Sequence, residues 1–244
     1  MTAPHGLNTA RSTDKTLAPV PRIALRLLAT SDLHAHILPW DDLANRPAPD
    51  RGLAQVASLI AAARAEAPQC LLLDNGDFLN GSPMGDYVAE TRKPGPDAPH
   101  PMIAAMNALG YDAATLGNHE FSQGLPFLKC ALSAAGFPVV SANLHHRLPS
   151  GKRRAFLPRY TLLDRTLTDT EGRRHRLKLG IIGFLPPQTA LWERAHVQNR
   201  LETEAILAAA RACLPRLRRA GADLVIALAH SGLGRPDAPE GAEN

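Results

Sequence analysis

Four times along this chain a short apolar run of strand length ends in polar residues of the metal-ligating type, and that repetition leaves few folds open. Residues 23–30 lead into Ser31-Asp32-Leu33-His34-Ala35-His36, and Cys70-Leu71-Leu72-Leu73 ends in Asp74-Asn75-Gly76-Asp77. Residues 111–116 run into Gly117-Asn118-His119-Glu120, and residues 223–229 deliver His230. An all-apolar run of this length suits a parallel strand covered on both faces. Between the runs lie segments of helical character. Residues 52–65 carry Leu53, Val56, Ala57, Leu59 and Ile60 at helical spacing, and residues 102–109 and 125–134 are further helices. Residues 202–219 are expected to form one long helix that Pro215 kinks or divides. Further strands are expected at residues 137–141 and as a hairpin-like pair, 157–163 and 176–184, across the turn-rich Asp169-Thr170-Glu171-Gly172. Alternating strands and helices imply an α/β domain with a largely parallel first sheet, whose ligand-binding edge is formed by the loops at the strand carboxyl ends.

A chain of 244 residues can bury about 70% of its unfolded surface, which favours one well-cored domain. We expect it to span residues 22–234, after a polar, proline-containing extension at 1–21 and before a short tail at 235–244. Basic residues number 27 against 23 acidic. The local excess at Arg153, Arg154, Arg159, Arg173, Arg174, Arg176 and Lys178 reads as a solvated hairpin face. With 5% aromatics and none interleaved with the positive charge, a nucleic-acid polymer is not an expected partner. Cys70, Cys130 and Cys213 are widely spaced in apolar stretches and read as small core residues, not as a disulfide framework. The apolar run at 23–29 is broken by Arg26, too short for a signal-peptide core, and no stretch approaches membrane-spanning length. A soluble protein is expected, and its compartment is left open.

Asp32, His34, Asp77, Asn118 and His230 offer carboxylate, imidazole and amide oxygen, which suit borderline or hard divalent ions. Asp32 and His34 alternate, so both can face one cavity if the chain leaves its strand extended. Asp77 can bridge two ions, with Asn118 and His230 filling positions on the second. Any one of these residues alone is more often a cap, a turn former or a structural hydrogen-bonding group. Their repetition at four strand exits is what favours a metal site. His36 also alternates with His34, but neighbouring imidazoles are common by chance. Phosphate-ester hydrolysis accounts for the mixed set, because two divalent ions about 3.5–4 Å apart can clamp nonbridging oxygens and activate water. His119 would then donate a proton toward the leaving oxygen. Glu120 reads chiefly as an anchor for the loop that carries it.

The motifs Asp32-Leu33-His34, Gly76-Asp77, Gly117-Asn118-His119-Glu120 and Ala229-His230-Ser231-Gly232 resemble, in order and context, those of the calcineurin-like metallophosphoesterases. A narrower resemblance rests on Asp74-Asn75-Gly76-Asp77, Gly81-Ser82-Pro83, His100-Pro101, Ala220-Gly221-Ala222-Asp223 and Ile182-Gly183-Phe184-Leu185-Pro186-Pro187-Gln188. It points to the bacterial 2',3'-cyclic-nucleotide 2'-phosphodiesterase/3'-nucleotidase group, relatives of the secreted 5'-nucleotidases, and covers about residues 26–234. The resemblance implies a two-sheet sandwich, a nucleotide substrate and two divalent ions, with Mn, Zn, Fe and Co as candidates. It implies Asp32, His34 and Asp77 on one ion, Asp77, Asn118 and His230 on the other, and His119 as the catalytic histidine. The family's compartment is often periplasmic.

Two departures matter. Secreted 5'-nucleotidases place an Asp three residues after the catalytic histidine and the cyclic-nucleotide group generally an Asn; here that position is Ser122, and a hydroxyl cannot supply the charge support of a carboxylate. Family members also continue into a Gly-His-x-His motif and a C-terminal substrate-binding domain. Neither is expected in this chain, where His145 and His146 are adjacent and come too early, and His196 has no motif supporting such a role. The sandwich is therefore expected to be incomplete. The alternatives are a 5'-nucleotidase or another metallophosphoesterase activity, or a noncatalytic metal-binding fragment.

Overall fold

A computed structural model describes residues 20–197 and 200–232; the expected tail at 235–244 and all but the end of the expected extension lie outside the described residues. In chain order the elements are β1 (Arg26–Thr30), β2 (Trp40–Asp41), β3 (Arg46–Pro47), α1 (Leu53–Glu66), β4 (Cys70–Asp74), α2 (Pro83–Thr91), α3 (Pro101–Leu109), β5 (Ala113–Ala114), a 3-10 turn (His119–Phe121) and α4 (Gly124–Leu132). There follow β6 (Leu144–Arg147), β7 (Arg153–Ala155), β8 (Tyr160–Thr168), β9 (Arg174–Phe184), α5 (Thr189–Trp192), α6 (Arg194–Val197), β10 (Leu201–Thr203), α7 (Ile206–Arg219) and β11 (Leu224–Ala229). The architecture is the expected α/β one.

The first sheet is parallel, in the order β1-β4-β5, with Thr30 opposite Asp74 and Asp74 opposite Ala114. Strands that end in step deliver their loops to one rim, which is why the motifs meet. A second sheet, β11-β9-β8, pairs β11 with β9 in parallel and β8 with β9 in antiparallel fashion, so Ala229 ends beside Phe184. The strand expected at 137–141 is instead a seam between the two sheets. Val140 donates to the Ala114 carbonyl at 2.9 Å and Ala142 donates to that of Gly183 at 2.7 Å, and only a single Ala114–Val139 bridge forms. Likewise the strand expected at 111–116 is paired only at Ala113 and Ala114.

Against the first sheet lies the main core, in which Leu72, Phe78, Met102, Met106, Leu116, Phe121 and Leu128 are fully buried. α3 is set by its ends: His100 caps it by accepting from the Met102 N–H, Pro101 occupies its first turn, and Gly110 closes it at φ 66°. α2, which the sequence did not announce by periodicity, is capped by Ser82 with Pro83 following.

The long helix expected at 202–219 is shorter. Glu202 and Thr203 belong to β10, which pairs antiparallel with β6, and Glu202 is held there by Arg153 at 2.6 Å. Pro215 lies inside α7 and neither ends nor divides it. The basic hairpin face is solvated or internally paired, with Arg153 and Arg159 against Glu202 and Glu204 and Arg173 against Glu171. All three cysteines are free, but Cys130 is exposed, since it falls on the outer face of α4; only Cys213 is a core residue. Among the described residues no helix is long and apolar enough to cross a membrane.

Because Pro215 is exposed in the helix interior, it removes a backbone hydrogen bond with no packing gain. Pro215→Ala should therefore stabilise the protein, by up to about 3 kcal/mol, as read from urea unfolding. A lower midpoint for the variant would contradict this account of α7.

Candidate metal centre

The loops after β1 and β4 are zipped together by main-chain bonds. Asp32 donates to Gly76 O at 2.9 Å, His34 to Asp77 O at 2.8 Å and Ala35 to Phe78 O at 3.0 Å. The expected extended exit from β1 is not found. Asp32, His34, Ala35 and Asp77 all sit at positive φ, between 46° and 60°, a region that costs about 1–3 kcal/mol for a side-chain-bearing residue. The tight turn still brings the side chains together: one ligand atom each from Asp32, His34 and Asp77 lies within 4.8 Å of the others.

The other strand exits join them. His230 Nε2 is 3.2 Å from Asp77 Oδ2, and the His119 N–H donates to Asp77 Oδ1 at 2.8 Å. Asn118 lines a cavity of about 590 Å³ together with Asp32, His119 and His230. His36 is not drawn into this cluster. It lines an adjoining groove with Asp32, His34 and Arg51.

Both ligand-type histidines are oriented in the same way. His34 Nδ1 lies 2.8 Å from Asn80 O, and His230 Nδ1 lies 2.8 Å from Asn75 O. A carbonyl can only accept, so each Nδ1 carries a proton and each Nε2 is turned toward the carboxylates. That is the arrangement that fixes the tautomer of a metal-binding imidazole. The donor set of carboxylate oxygens, imidazole Nε2 and the Asn118 amide therefore fits a divalent ion of the borderline or hard class.

The electrostatics follow from burial and convergence. Burial works against the charge on Asp77, but the hydrogen bond and charge of His230, with the N–H and ring of His119, hold its carboxyl below the usual carboxylate range. Burial also opposes a charge on His230, yet Asp77 overrides it and pushes the imidazole up to about 9. Asp74 is fully buried, and desolvation pushes its carboxyl up to about 8 although Thr30 and the Gly76 N–H both donate to it.

Glu120 is the expected anchor. Its fully buried carboxylate accepts from the N–H groups of Asp77, Phe78, Leu79 and Gly117 at 2.6–3.1 Å. Gly117 is required by contact: a methyl there would overlap the Asp77 carboxylate and approach His230 Cε1 to 2.8 Å.

Pro186, Trp192 and Glu193 also line the cavity, and sequence reasoning missed the last two. They sit at the junction of two four-residue helices, α5 and α6, too short to leave a periodic signal.

The sequence profile of the calcineurin-like phosphoesterases matches residues 25–243. This chain belongs to that family. It is 39% identical over 223 residues to the 2',3'-cyclic-nucleotide 2'-phosphodiesterase/3'-nucleotidase of Haemophilus influenzae, covering 91% of this chain and 33% of that protein. It is 40% identical over 227 residues to the trifunctional nucleotide phosphoesterase protein YfkN of Bacillus subtilis, covering 92% of this chain and 15% of that one. The crystal structure of the Bacillus subtilis calcineurin-like phosphoesterase YfkN superposes with a TM-score of 0.85 at 39% identity, over 92% of this chain and 67% of the crystallised one. The chain thus spans a third or less of the length of these two curated relatives.

Two outcomes check this description. Gly117→Ala should weaken Mn²⁺ or Zn²⁺ binding by roughly 10- to 100-fold in calorimetry with the circular dichroism spectrum retained; unchanged affinity would show that Asp77 need not lie where it does. Asp74 gives a pH signature. The native protein keeps its proton up to about 8, whereas an ordinary aspartate loses it near 3.8. Native protein therefore binds more protons over that interval, and stability falls as pH rises through it. Asp74→Asn removes the group, so its melting temperature in chelator should gain on wild type steadily from pH 5 to pH 8. A pH-independent difference would refute the assignment.

Proposed function

We propose that this chain carries the metal-dependent hydrolytic centre of a nucleotide phosphoesterase that opens ribonucleoside 2',3'-cyclic phosphates to 3'-phosphates and then removes the 3'-phosphate. The observation that carries this reading is the cluster of Asp32, His34 and Asp77, with His230 against Asp77, on the cavity rim. The likeness to the Haemophilus influenzae enzyme, whose name specifies that pair of reactions, directs it to nucleotides.

Asp32, His34 and Asp77 would hold one ion, and Asp77, Asn118 and His230 a second. When bound, divalent ions supply Lewis-acid polarisation of the phosphoryl group and a water acidic enough to attack phosphorus. The residues of the chain do the rest. Asp77, fixed by the Glu120-anchored loop and by the His119 N–H, sets the centre to which the phosphate comes. Water adds to phosphorus as the bond to the 2' oxygen breaks, and His119, exposed at the rim beside Asn118, gives that oxygen its proton. The same arrangement serves the second step, in which the bond to the 3' oxygen breaks and inorganic phosphate leaves. The His34 and His119 rings meet edge to face with centroids 5.4 Å apart, which limits the positions His119 can take.

The full-length protein loaded with Mn²⁺ or Zn²⁺ should be assayed with 2',3'-cyclic AMP, 3'-AMP and 5'-AMP. We expect turnover of the first two, its abolition in Asp77→Asn, and a fall in kcat of roughly 10²- to 10⁴-fold in His119→Ala at matched metal content. Wild-type activity in His119→Ala would reject the acid role. Turnover of 5'-AMP alone would replace the substrate class.

A further inference from the structure

Glu193 is a carboxylate turned the wrong way for a surface residue. It is 8% exposed, although Trp192 before it and Arg194 after it are both exposed. It ends α5, and its peptide is pinned: its N–H donates to Thr189 O at 3.0 Å, and its carbonyl accepts from His196 and Val197 at 2.9 and 3.0 Å. Val197, 1% exposed, sits in the main core, and α6 packs against α4 just beyond the His119 turn. The backbone thus delivers the side chain to one place, the wall of the cavity that also contains Asn118 and His119. A buried carboxylate is costly unless something nearby favours its charge. Burial does push this one above its ordinary value, while His196, His119 and the Ser122 hydroxyl pull the other way. His196 is exposed on α6, whereas His119 lines the cavity with Glu193, and Ser122 caps the turn that carries it.

We propose that Glu193 is the positioning residue for His119: buried in the wall of the same cavity, it supplies the carboxylate that holds the imidazole in its donor orientation. The inference rests on the assignment of His119 as proton donor made above. The position three residues after the histidine carries only a hydroxyl, so the negative partner comes from a segment 74 residues along the chain.

The test compares two leaving groups. Glu193→Gln should lower kcat on 2',3'-cyclic AMP by roughly 10- to 100-fold, with KM and bound metal unchanged. It should barely affect bis(para-nitrophenyl) phosphate, whose leaving group departs without a proton. In a His119→Ala background Glu193→Gln should cost nothing further, and His196→Ala should behave as wild type. Ser122→Asp, which puts a carboxylate next to the histidine, should restore a substantial part of the activity that Glu193→Gln loses. Equal losses on both substrates, a further loss in the His119→Ala background, a wild-type rate in Glu193→Gln or the same fall in His196→Ala would each overturn the proposal. If wild-type protein hydrolyses none of the phosphoesters, the preceding functional reading fails, and nitrogen NMR of the His119 imidazole then tests the positioning by itself. A single tautomer in wild type that becomes a mixture in Glu193→Gln supports it; identical spectra overturn it.

Discussion

Four backbone N–H groups from two loops converge on the carboxylate of Glu120, and the positions of Asp77 and His119 at the rim follow from that junction. Desolvation pushes this carboxyl up to about 7, so burial by itself disfavours the charge. Hydrogen bonds to a charged acceptor contribute about 1.5–3 kcal/mol each, and four of them are enough to keep a buried acid in service. What they secure is local: the Gly117 peptide against the stretch from Asp77 to Leu79. With those two loops joined, Asp77 has no freedom to swing away from His230, and the His119 N–H has no alternative to Asp77 Oδ1.

The same junction explains why so much unfavourable backbone persists here. Four residues with side chains at positive φ amount to several kcal/mol of local strain. They hold because each lies in a segment bonded to its neighbour: Asp32 to Gly76, His34 to Asp77, Ala35 to Phe78. The glycines complete the fit. Gly76 sits at φ 99° and a methyl on it would overlap the Gly117 peptide, while one on Gly81 would come to 2.5 Å from His34 Nδ1. Close approach of three loops is thus the structural purpose of the Gly-Asp and Gly-Asn-His-Glu motifs. The geometry that follows is one in which carboxylates and imidazoles face one another across a few ångströms.

Parallel strands that end in step were legible in the sequence, because an all-apolar run followed by polar residues is a local signal. That signal sufficed for β1, β4 and β11, for α1, α3 and α4, and for drawing Asp32, His34, Asp77, His119 and His230 to one rim. It failed where pairing is decided by distant partners. Residues 137–141 have strand composition but bond to Ala114 on one side and are followed by a bond to Gly183 on the other, so they join two sheets without extending either. Glu202 and Thr203 continue the helical pattern of α7, yet β6 and Arg153 claim them for β10. The extended exit from β1 was a local expectation too, overturned by bonds to the β4 loop. Glu193 had no local signal of any kind: an acid between Trp192 and Arg194 reads as surface until the packing of Val197 shows which way the turn must face.

Convergence of acids is the remaining consequence. Asp32, Asp74 and Asp77 all reach the rim or the layer beneath it, and like charges so placed cannot all be ionised without compensation. The protein resolves the conflict by separating them according to burial. Asp74, in the deepest layer, keeps a proton to about 8 and serves Thr30 and the Gly76 turn as a neutral hydrogen-bonding group. Asp77, one turn further out, is held ionised by the hydrogen bond and charge of His230 and by the His119 N–H. Asp32 is exposed, with His34 Nε2 3.7 Å from its carboxylate. Asp32 and Asp77 therefore face His34 at the rim, with Asp74 beneath them. Without a cation, His230 offsets the charge of Asp77 from one side; a divalent cation placed among Asp32, His34 and Asp77 would offset it at the centre. A cation-binding rim thus follows from which carboxylates the fold allows to ionise, and the glycine contacts and the Glu120 junction determine which those are.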